Sequence, residues 1–243
     1  MKKLLSILIV PLFIIFFMEV FCCLGHTSPG MMGYTGGGGT PAYTAEDYTT
    51  YTTSGSGFTV ASSTSITYTG LVATDTSRVY KDFGTGYFGT NFTHYVDVVW
   101  TSKTGGSLAG VWMVSNSNTD AIHTSTDNLD IYVIGTTGGT IYLNEIVGGT
   151  QYYSSAFNMT TATTYYLQIQ RNSSVGTYGT LYCYVYDTSA HRTAGGATGL
   201  LATRSVTLHN NTTWRYLYAA DAYGATSGTV TITGTIGNLK IVQ

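Results

Sequence analysis

The stretch "TLYCYVYD", residues 180–187, places a tyrosine at every second position. Because successive side chains of a β-strand point to opposite faces of a sheet, this stretch predicts a strand with an aliphatic face and a tyrosine face. The aliphatic residues suit a protein core, and they are Leu181, Cys183 and Val185. We therefore expect these three to be buried, and we expect the opposite face to carry Tyr182, Tyr184 and Tyr186.

The composition of the whole chain favours strands in the same way. Of its 243 residues, 43% are hydrophobic and only 9% are charged, whereas an average globular chain has about 25% charged residues. About eleven short alternating runs, separated by turns rich in Gly, Asn, Ser and Thr, follow one another without a long helical period. The chain is thus predicted to be all-β: a two-sheet antiparallel β-sandwich with negligible helix. We expect each sheet to have one dry and one wet face, and a last strand over about residues 236–242 to return beside the first.

The first residues have the layout of an export signal. Two lysines precede an apolar stretch from Leu4 to Met18, and small residues follow. The same segment is long enough to remain as an uncleaved membrane anchor, and Cys22 or Cys23 is a further candidate for lipid attachment. We expect a secreted or cell-surface (extracellular) protein that contacts a membrane only through this segment. The order predicts a helical signal peptide over residues 1–25, a flexible linker over residues 26–44 and one sandwich domain over residues 45–243.

Charge and cysteine content narrow the class of protein further. The net charge is −2 and the longest basic run is Lys2-Lys3. Nucleic-acid binding needs clustered Lys and Arg to neutralise phosphates, so we expect no nucleic-acid partner. Removal of residues 1–25 leaves Cys183 as the only cysteine. The domain therefore has to be stable through core packing, without an intrachain disulfide.

Several stretches resemble the concanavalin A-like lectin/glucanase superfamily in its laminin-G-like branch, of the kind found in phage and metagenomic sequences. "TNFTHYVDVVWTS" resembles an aromatic-led strand of that family, and "TTYYLQIQRN" with "GTLYCYVYDTS" resembles its paired "W/Y-y-l-x-i-x-r" and "l-x-l-Y-v-D-g" strands. The closing "GTIGNLKIV" resembles its terminal strand. The resemblance covers about residues 45–243. It implies a jelly roll of two sheets, and it implies binding of a glycan or protein ligand.

No catalytic residue is assigned from the sequence. Glycosidases of this superfamily resemble one another in an E-x-D-x-x-E strand motif, which is absent here, and hydrolysis of a glycosidic bond needs two neighbouring carboxylates. The only glutamates after residue 25 are Glu46 and Glu145, and Glu145 alternates with core-type residues. There is no G-x-S-x-G motif, and the histidines of the domain are too far apart in sequence for a typical zinc pattern. A glycoside hydrolase or lyase is therefore the least favoured of the three functions considered, after a binding module and a structural subunit.

Calcium is the one metal for which the sequence offers candidate ligands. The segments "SNSNTD" and "STDNLD", residues 115–120 and 125–130, concentrate hard oxygen ligands in neighbouring loops. The same residues also cap turns through their own backbone, which needs no metal. We expect no cofactor, and the weak calcium candidates are Asp120, Asp127 and Asp130.

The tyrosine face is the candidate ligand site. If the two adjacent alternating stretches form a hairpin, one face carries Tyr166, Gln168, Gln170, Tyr182, Tyr184 and Tyr186. Aromatic rings cover the apolar side of a pyranose, and amide and hydroxyl groups reach its hydroxyls. Plain cross-strand packing and a protein contact surface are the alternatives.

The sequence as a whole predicts an exported, non-catalytic module that binds a glycan or another cell-surface polymer. The alternative is a structural subunit of a surface layer, filament or virion that uses the same fold for self-association.

Overall fold

A computed structural model of the chain describes residues 44–72, 74–104, 107–119, 126–135, 139–222 and 231–243. The predicted signal peptide, its helix and, apart from Thr44, the linker lie outside the described residues. No helix within the described ranges is long and apolar enough to cross a membrane.

The described residues form two antiparallel sheets, which confirms the predicted sandwich. Sheet A contains, in spatial order, β1 (Thr52–Ser54), β4 (Arg78–Asp82), β14 (Tyr216–Ala222), β6 (Ser107–Ser115), β7 (Asn128–Gly135), β8 (Gly139–Val147) and β10 (Phe157–Met159), with β9 (Thr150–Tyr153) also paired to β8. Sheet B contains β13 (Leu200–Thr207), β12 (Thr180–Tyr186), β11 (Tyr165–Asn172), β5 (Phe92–Thr104), β15 (Thr231–Val242), β3 (Ser65–Val72) and β2 (Thr59–Ser62). The last strand, β15, pairs with β3 near the start of the domain, as predicted.

Sheet B shows the predicted alternation of buried and more exposed side chains. Along β5 every second residue from Phe92 to Trp100 is buried, and β11 repeats the pattern. On β12 the aliphatic side is completely buried, as the tyrosine spacing predicted; it consists of Leu181, Cys183 and Val185. Burial raises the pKa of the Cys183 thiol to about 12, so this cysteine is a core residue without thiolate character.

Sheet A departs from the expectation of one dry and one wet face. Its inner face carries core residues such as Ile131 and Leu143, but residues on its outer face are buried as well. Met113 and Tyr218 form a second apolar cluster there. The Tyr218 hydroxyl donates to the carbonyl of Ser117 at 2.6 Å, so the segment after β6 folds back across the sheet. This contact covers the outer face at Tyr218, which is fully buried.

One polar contact joins the two sheets inside the core. Trp112 of β6 donates from Nε1 to Nδ1 of His94 of β5 at 2.9 Å. The imidazole is fully buried and stacks on Phe92, and burial lowers the pKa of His94 to about 3. The histidine is therefore neutral and serves packing, because a charged imidazole in this position would lack water.

The helix content of the described residues is small, as predicted, and it consists of two short elements. Helix α1 (Ser189–Ala194) directly follows β12, and a 3₁₀-helix covers Tyr48–Thr50. The side chain of Thr188 caps α1 by accepting a hydrogen bond from the His191 amide, and Gly195 ends it at a φ of 67°. A threonine N-cap and a glycine after the last residue commonly begin and end a helix. The helix lies against β11 and β12.

Candidate functional site

The pairing of β11 with β12 brings the predicted ligand residues together on the outer face of sheet B. Tyr165–Asn172 runs antiparallel to Thr180–Tyr186 with matched faces. The directly opposed pairs are Tyr166 with Tyr186, Gln168 with Tyr184 and Gln170 with Tyr182. All six predicted side chains therefore share one face, opposite the buried aliphatic side.

Helix α1 covers one end of this face, which corrects the predicted site. Tyr186 is only 3% exposed, and its hydroxyl lies 3.5 Å from the carbonyl of Gly196 in the segment after the helix. Tyr166 remains half-buried, with the guanidinium of Arg192 over its ring. A ligand approaching the sheet cannot reach the ring of Tyr186, so this residue is removed from the candidate site.

Arg192 fixes the helix to the sheet. Its guanidinium lies over the ring of Tyr95 as well, and its Nη1 donates to Asp97 Oδ1 at 2.7 Å. The same nitrogen donates to the carbonyls of Val96 and Leu167. The sequence did not predict this role of Arg192, because an arginine after a turn gives no sign that it will be buried.

The remaining part of the face is accessible. The rings of Tyr182 and Tyr184 stack with centroids 5.9 Å apart and planes 14° from parallel, and both side chains are half-buried. Burial, with a smaller contribution from Tyr182 and Tyr186, raises the pKa of Tyr184. Gln168 and Gln170 are half-buried on the next strand. We call these four residues the tyrosine-pair face.

Neighbouring strands extend the tyrosine-pair face with uncharged side chains. Thr203 and Ser205 of β13 oppose the two tyrosines on one side. Tyr95 and Thr93 of β5 oppose the two glutamines on the other. Across β13, β12, β11 and β5 these two rows carry no formal charge. Tyr95 and Thr93 were not predicted as part of this face. Their position depends on the order of the strands in the sheet, and alternation along one strand does not show that order.

The outer face of sheet A holds a second polar cluster. Asp130 of β7 and Asn144 of β8 are fully buried neighbours, and Asn144 Nδ2 donates to Asp130 Oδ2 at 3.0 Å. The Oδ1 atom of each residue has no hydrogen-bond partner among the described residues. Burial raises the pKa of the Asp130 carboxyl to about 7, because ionisation in a desolvated position is costly.

A run of tyrosines leads from this cluster to the surface. The rings of Tyr132 and Tyr142 stack at 5.4 Å, and Tyr142 meets Tyr153 edge to face at 6.2 Å. Tyr153 is 63% exposed, whereas Tyr132 is buried. Sequence reading did not find this run because its members come from three strands.

Two of the three calcium candidates make other contacts in the described residues. Asp127 Oδ1 accepts from the Gly148 amide at 2.7 Å, and Asp130 is paired with Asn144. Asp120, the third candidate, lies outside the described residues. Within the described ranges, no three His, Cys, Asp or Glu side chains lie together as metal ligands. Two unpartnered oxygens fall short of the six to eight ligands that calcium takes.

The two glutamates among the described residues make separate contacts. Glu145 points inward and is fully buried, and its oxygens accept from the amide and, at 2.8 Å, from Nδ1 of His209. The His209 ring stacks on Tyr152. Glu46 instead lies 3.2 Å from the Lys81 ammonium. Glu145 therefore joins β8 to the segment after β13, and it shares the buried side of β8 with the core-type residues with which it alternates.

Solved structures share the architecture of this chain. The VIP36 exoplasmic/lumenal domain in its Ca²⁺-bound form matches with a TM-score of 0.55 at 11% identity, over 79% of this chain and 83% of that one. Its Ca²⁺/Man3GlcNAc-bound form matches with the same TM-score at 10% identity over the same shares. The carbohydrate-binding module CBM66 from Bacillus subtilis aligns with a TM-score of 0.45 at 12% identity, over 83% of this chain and 98% of that one.

By sequence, neither a protein-family model nor a curated protein matches the chain. The likeness to VIP36 is one of three-dimensional arrangement at low identity, so it concerns the fold. Together with the two antiparallel sheets and the return of the last strand, it confirms the jelly roll of two sheets that the sequence resemblance implied.

Proposed function

We propose that this chain is an exported, non-catalytic carbohydrate-recognition module that binds glycan through the tyrosine-pair face. One observation carries the proposal: two stacked, half-buried rings, Tyr182 and Tyr184, stand beside two glutamines on an uncharged part of the sheet. Stacked rings offer an apolar platform for the C–H side of a sugar, and amides beside them reach its hydroxyls.

The lack of charge indicates the kind of glycan. Between β13 and β5 the face offers hydroxyl and amide groups only, and Lys240 of β15 follows beyond Tyr95. An anionic sugar gains most from arginine or lysine, which form charge-assisted hydrogen bonds with carboxylate and sulfate groups. The face therefore suits neutral hexose polymers.

The fold supports the proposal in a general way. The VIP36 domain, which shares this architecture, has been solved in a Man3GlcNAc-bound form. Folds host many functions, so the argument for this chain rests on its own side chains.

A glycan array screened with the full-length protein tests the proposal. We expect binding to neutral oligosaccharides, and we expect Tyr184→Ala and Tyr182→Ala each to weaken it at least tenfold, because each removes half of the platform. Tyr184→Phe should keep most of the affinity, since the ring remains. Tyr153→Ala removes an exposed tyrosine of sheet A and is the matched control, with unchanged binding.

Glycan binding that is lost in Tyr153→Ala but kept in Tyr184→Ala would contradict the proposed face. It would place the site at the second candidate location, the tyrosine run beside Asp130, which is favoured by the unpartnered buried oxygens there.

A further inference from the structure

The described residues contain five copies of the tripeptide Asn-x-Ser/Thr. They begin at Asn91, Asn158, Asn172, Asn210 and Asn211. In exported proteins this tripeptide is the acceptor of N-linked glycan, which is attached to the side-chain nitrogen Nδ2. Threonine is so frequent in this chain that chance alone produces such tripeptides. The side-chain contacts of the asparagines are therefore needed to separate acceptors from coincidence.

The asparagines of these tripeptides use their side-chain oxygen for contacts with the fold. The bonds accepted by Oδ1 are those of Asn91 from the Ser173 amide at 2.9 Å, Asn172 from the Ser174 amide at 2.9 Å, Asn210 from the Thr212 amide at 3.1 Å and Asn158 from the Thr140 hydroxyl at 3.2 Å. A backbone amide can only donate, so the first three contacts fix which atom is the oxygen. In all four asparagines, Nδ2 makes no hydrogen bond within the described residues.

The asparagines outside these tripeptides use the nitrogen instead. The bonds donated by Nδ2 are those of Asn116 to the Thr213 carbonyl, Asn128 to the Thr126 carbonyl, Asn144 to Asp130 and Asn238 to Asp97. A sugar on any of these nitrogens would compete with a contact of the fold. A sugar on Nδ2 in the Asn-x-Ser/Thr tripeptides disturbs no such contact.

Exposure separates three of the five asparagines from the other two. Asn91, Asn158 and Asn211 are exposed, whereas Asn172 and Asn210 are half-buried. Asn91 directly precedes β5, Asn158 lies in the short end strand β10, and Asn211 follows β13. A glycan is bulky and needs open surface, which these three positions provide.

We propose that Asn91, Asn158 and Asn211 each carry an N-linked oligosaccharide. The donor is an oligosaccharide joined to a lipid diphosphate, and an oligosaccharyltransferase catalyses the transfer. The bond between the sugar C1 and the phosphate oxygen breaks, and the lipid diphosphate leaves with the bonding electron pair. A bond between C1 and Nδ2 forms, and Nδ2 gives up one of its two protons to a carboxylate base of the transferase. The transfer follows membrane translocation, so this proposal rests on the export included in the proposed function.

The three positions are compatible with glycan binding at the tyrosine-pair face. Asn158 lies on sheet A, and Asn211 lies in the segment that follows β13. Asn91 precedes Thr93, which opposes Gln170 at the end of a row of the face. None of the three acceptors is a residue of the face, so the glycans border it without being attached to it.

Expression of the full-length chain in a eukaryotic cell line with an active oligosaccharyltransferase tests the proposal. Mass spectrometry of the purified protein should find N-glycan at residues 91, 158 and 211. Peptide N-glycosidase should remove all three from the folded protein, because the acceptors are exposed, and should convert each acceptor asparagine to aspartate. Thermal unfolding before and after this treatment shows whether the fold is intact.

Variants of the threonine in each tripeptide assign the sites one by one. Thr93→Ala, Thr160→Ala and Thr213→Ala should each remove one glycan, because the transferase requires the hydroxyl two residues after the acceptor. The matched controls are the three corresponding changes to serine, which keep the hydroxyl and should keep the glycan. Asn118→Gln removes an exposed asparagine outside a tripeptide and should leave the glycan content unchanged.

A second protein separates this proposal from the proposed export. In it, residues 1–25 are replaced by an established export signal. Glycan on this protein but not on the full-length chain would overturn the export and support the acceptor sites. The bare polypeptide mass in both proteins would overturn the acceptor sites, as would N-glycan that persists in full after all three threonine-to-alanine changes. Tyr184→Ala removes no acceptor, so loss of glycan binding in that variant leaves the attached glycans unaffected.

Discussion

Arg192 of helix α1 and Asp97 of strand β5 form a buried ion pair, with Nη1 2.7 Å from Oδ1. The second carboxylate oxygen of Asp97 accepts from Asn238 of β15 at 2.7 Å. The pair therefore ties a six-residue helix to two central strands of sheet B. A helix this short does not hold itself together in water, so its position depends on this contact.

Replacement of Arg192 by alanine should destabilise the domain and open the covered end of the tyrosine face. Removing one partner of a buried ion pair leaves an uncompensated charge, and we expect the free energy of unfolding to fall by about 3 kcal/mol. Chemical modification of Tyr166 and Tyr186 should accelerate at the same time, because the guanidinium and helix no longer cover them. Denaturant unfolding and mass spectrometry of nitrated peptides measure the two effects.

The matched control for this prediction is Arg215→Ala. Arg215 also contacts a carboxylate, Asp82, through two hydrogen bonds of 2.8 and 2.6 Å, but that pair lies at the surface. Water solvates both groups once the contact is lost, so stability should change little. Equal losses in Arg192→Ala and Arg215→Ala would show that burial of Asp97 is not the cause.

The sequence predicts the direction of side chains better than their accessibility. Alternation along β12 correctly separated Leu181, Cys183 and Val185 from the three tyrosines, because a strand has no other way to arrange them. It did not predict that α1 would cover Tyr186, since six residues span less than two helical turns and show no recognisable period. The one sign of this helix in the sequence is its N-capping residue, Thr188.

The polar cluster of sheet A was beyond sequence reading for a different reason. Asp130 lies in an alternating run and resembles any outward carboxylate. Its burial is a property of the folded outer face of sheet A, where Asp130 is 0% exposed. Its partner, Asn144, is set by the register between β7 and β8. Such tertiary features leave no periodic trace in a single sequence.

Asp130→Asn should stabilise the domain at neutral and alkaline pH. The pKa of the buried carboxyl rises from 3.8 to about 7, so the folded protein holds a proton that the unfolded chain releases between these values. The unaltered protein therefore loses stability as the pH rises through that window, by roughly 4 kcal/mol at most. Asparagine has no proton to lose, so its advantage should grow from pH 4 to pH 7 and then remain constant.

Unfolding free energies of both proteins, measured by denaturant titration at several pH values, check this prediction. An advantage of the variant that is the same at pH 4 and pH 8 would mean that Asp130 is not protonated in the fold. A variant that is less stable at pH 8 would show that the ionised carboxylate has a favourable partner.

His94→Asn should remove the loss of stability that His94 causes in the unaltered protein below pH 6.5. The folded pKa of His94 is about 3, below its ordinary value of 6.5, so the unfolded chain binds a proton that the folded protein excludes. The contribution of the neutral ring is complete above pH 6.5 and is lost as the pH falls towards 3. Asparagine keeps an acceptor for Trp112 Nε1 without titrating.

The measurement is the difference in unfolding free energy between the unaltered protein and His94→Asn. Both proteins contain Asp130, so its effect cancels in this difference and the effect of His94 remains. Without the comparison the two would mix, because protonation of Asp130 changes stability with pH in the opposite direction over part of the same pH range. It should be constant above pH 6.5 and shrink below it. A difference independent of pH would contradict a neutral, buried His94.

Gly139→Ala should test a close contact between the two sheets. A methyl group on Gly139, at the start of β8, would overlap the indole ring of Trp100 on β5, which is 3% exposed. Overpacking of a core costs about 1–3 kcal/mol, and a rigid ring between two strands cannot move aside cheaply. Gly89→Ala is the matched control, because a methyl group there meets no atom within 4 Å and its φ needs no glycine. We expect a large loss of stability in the first variant and almost none in the second.

Adding Trp100→Phe should restore part of the stability lost in Gly139→Ala, since the smaller ring leaves room for the methyl group. The prediction can therefore be tested even if Gly139→Ala alone does not fold. Independent, additive effects of Gly139→Ala and Trp100→Phe would show that the two residues do not meet.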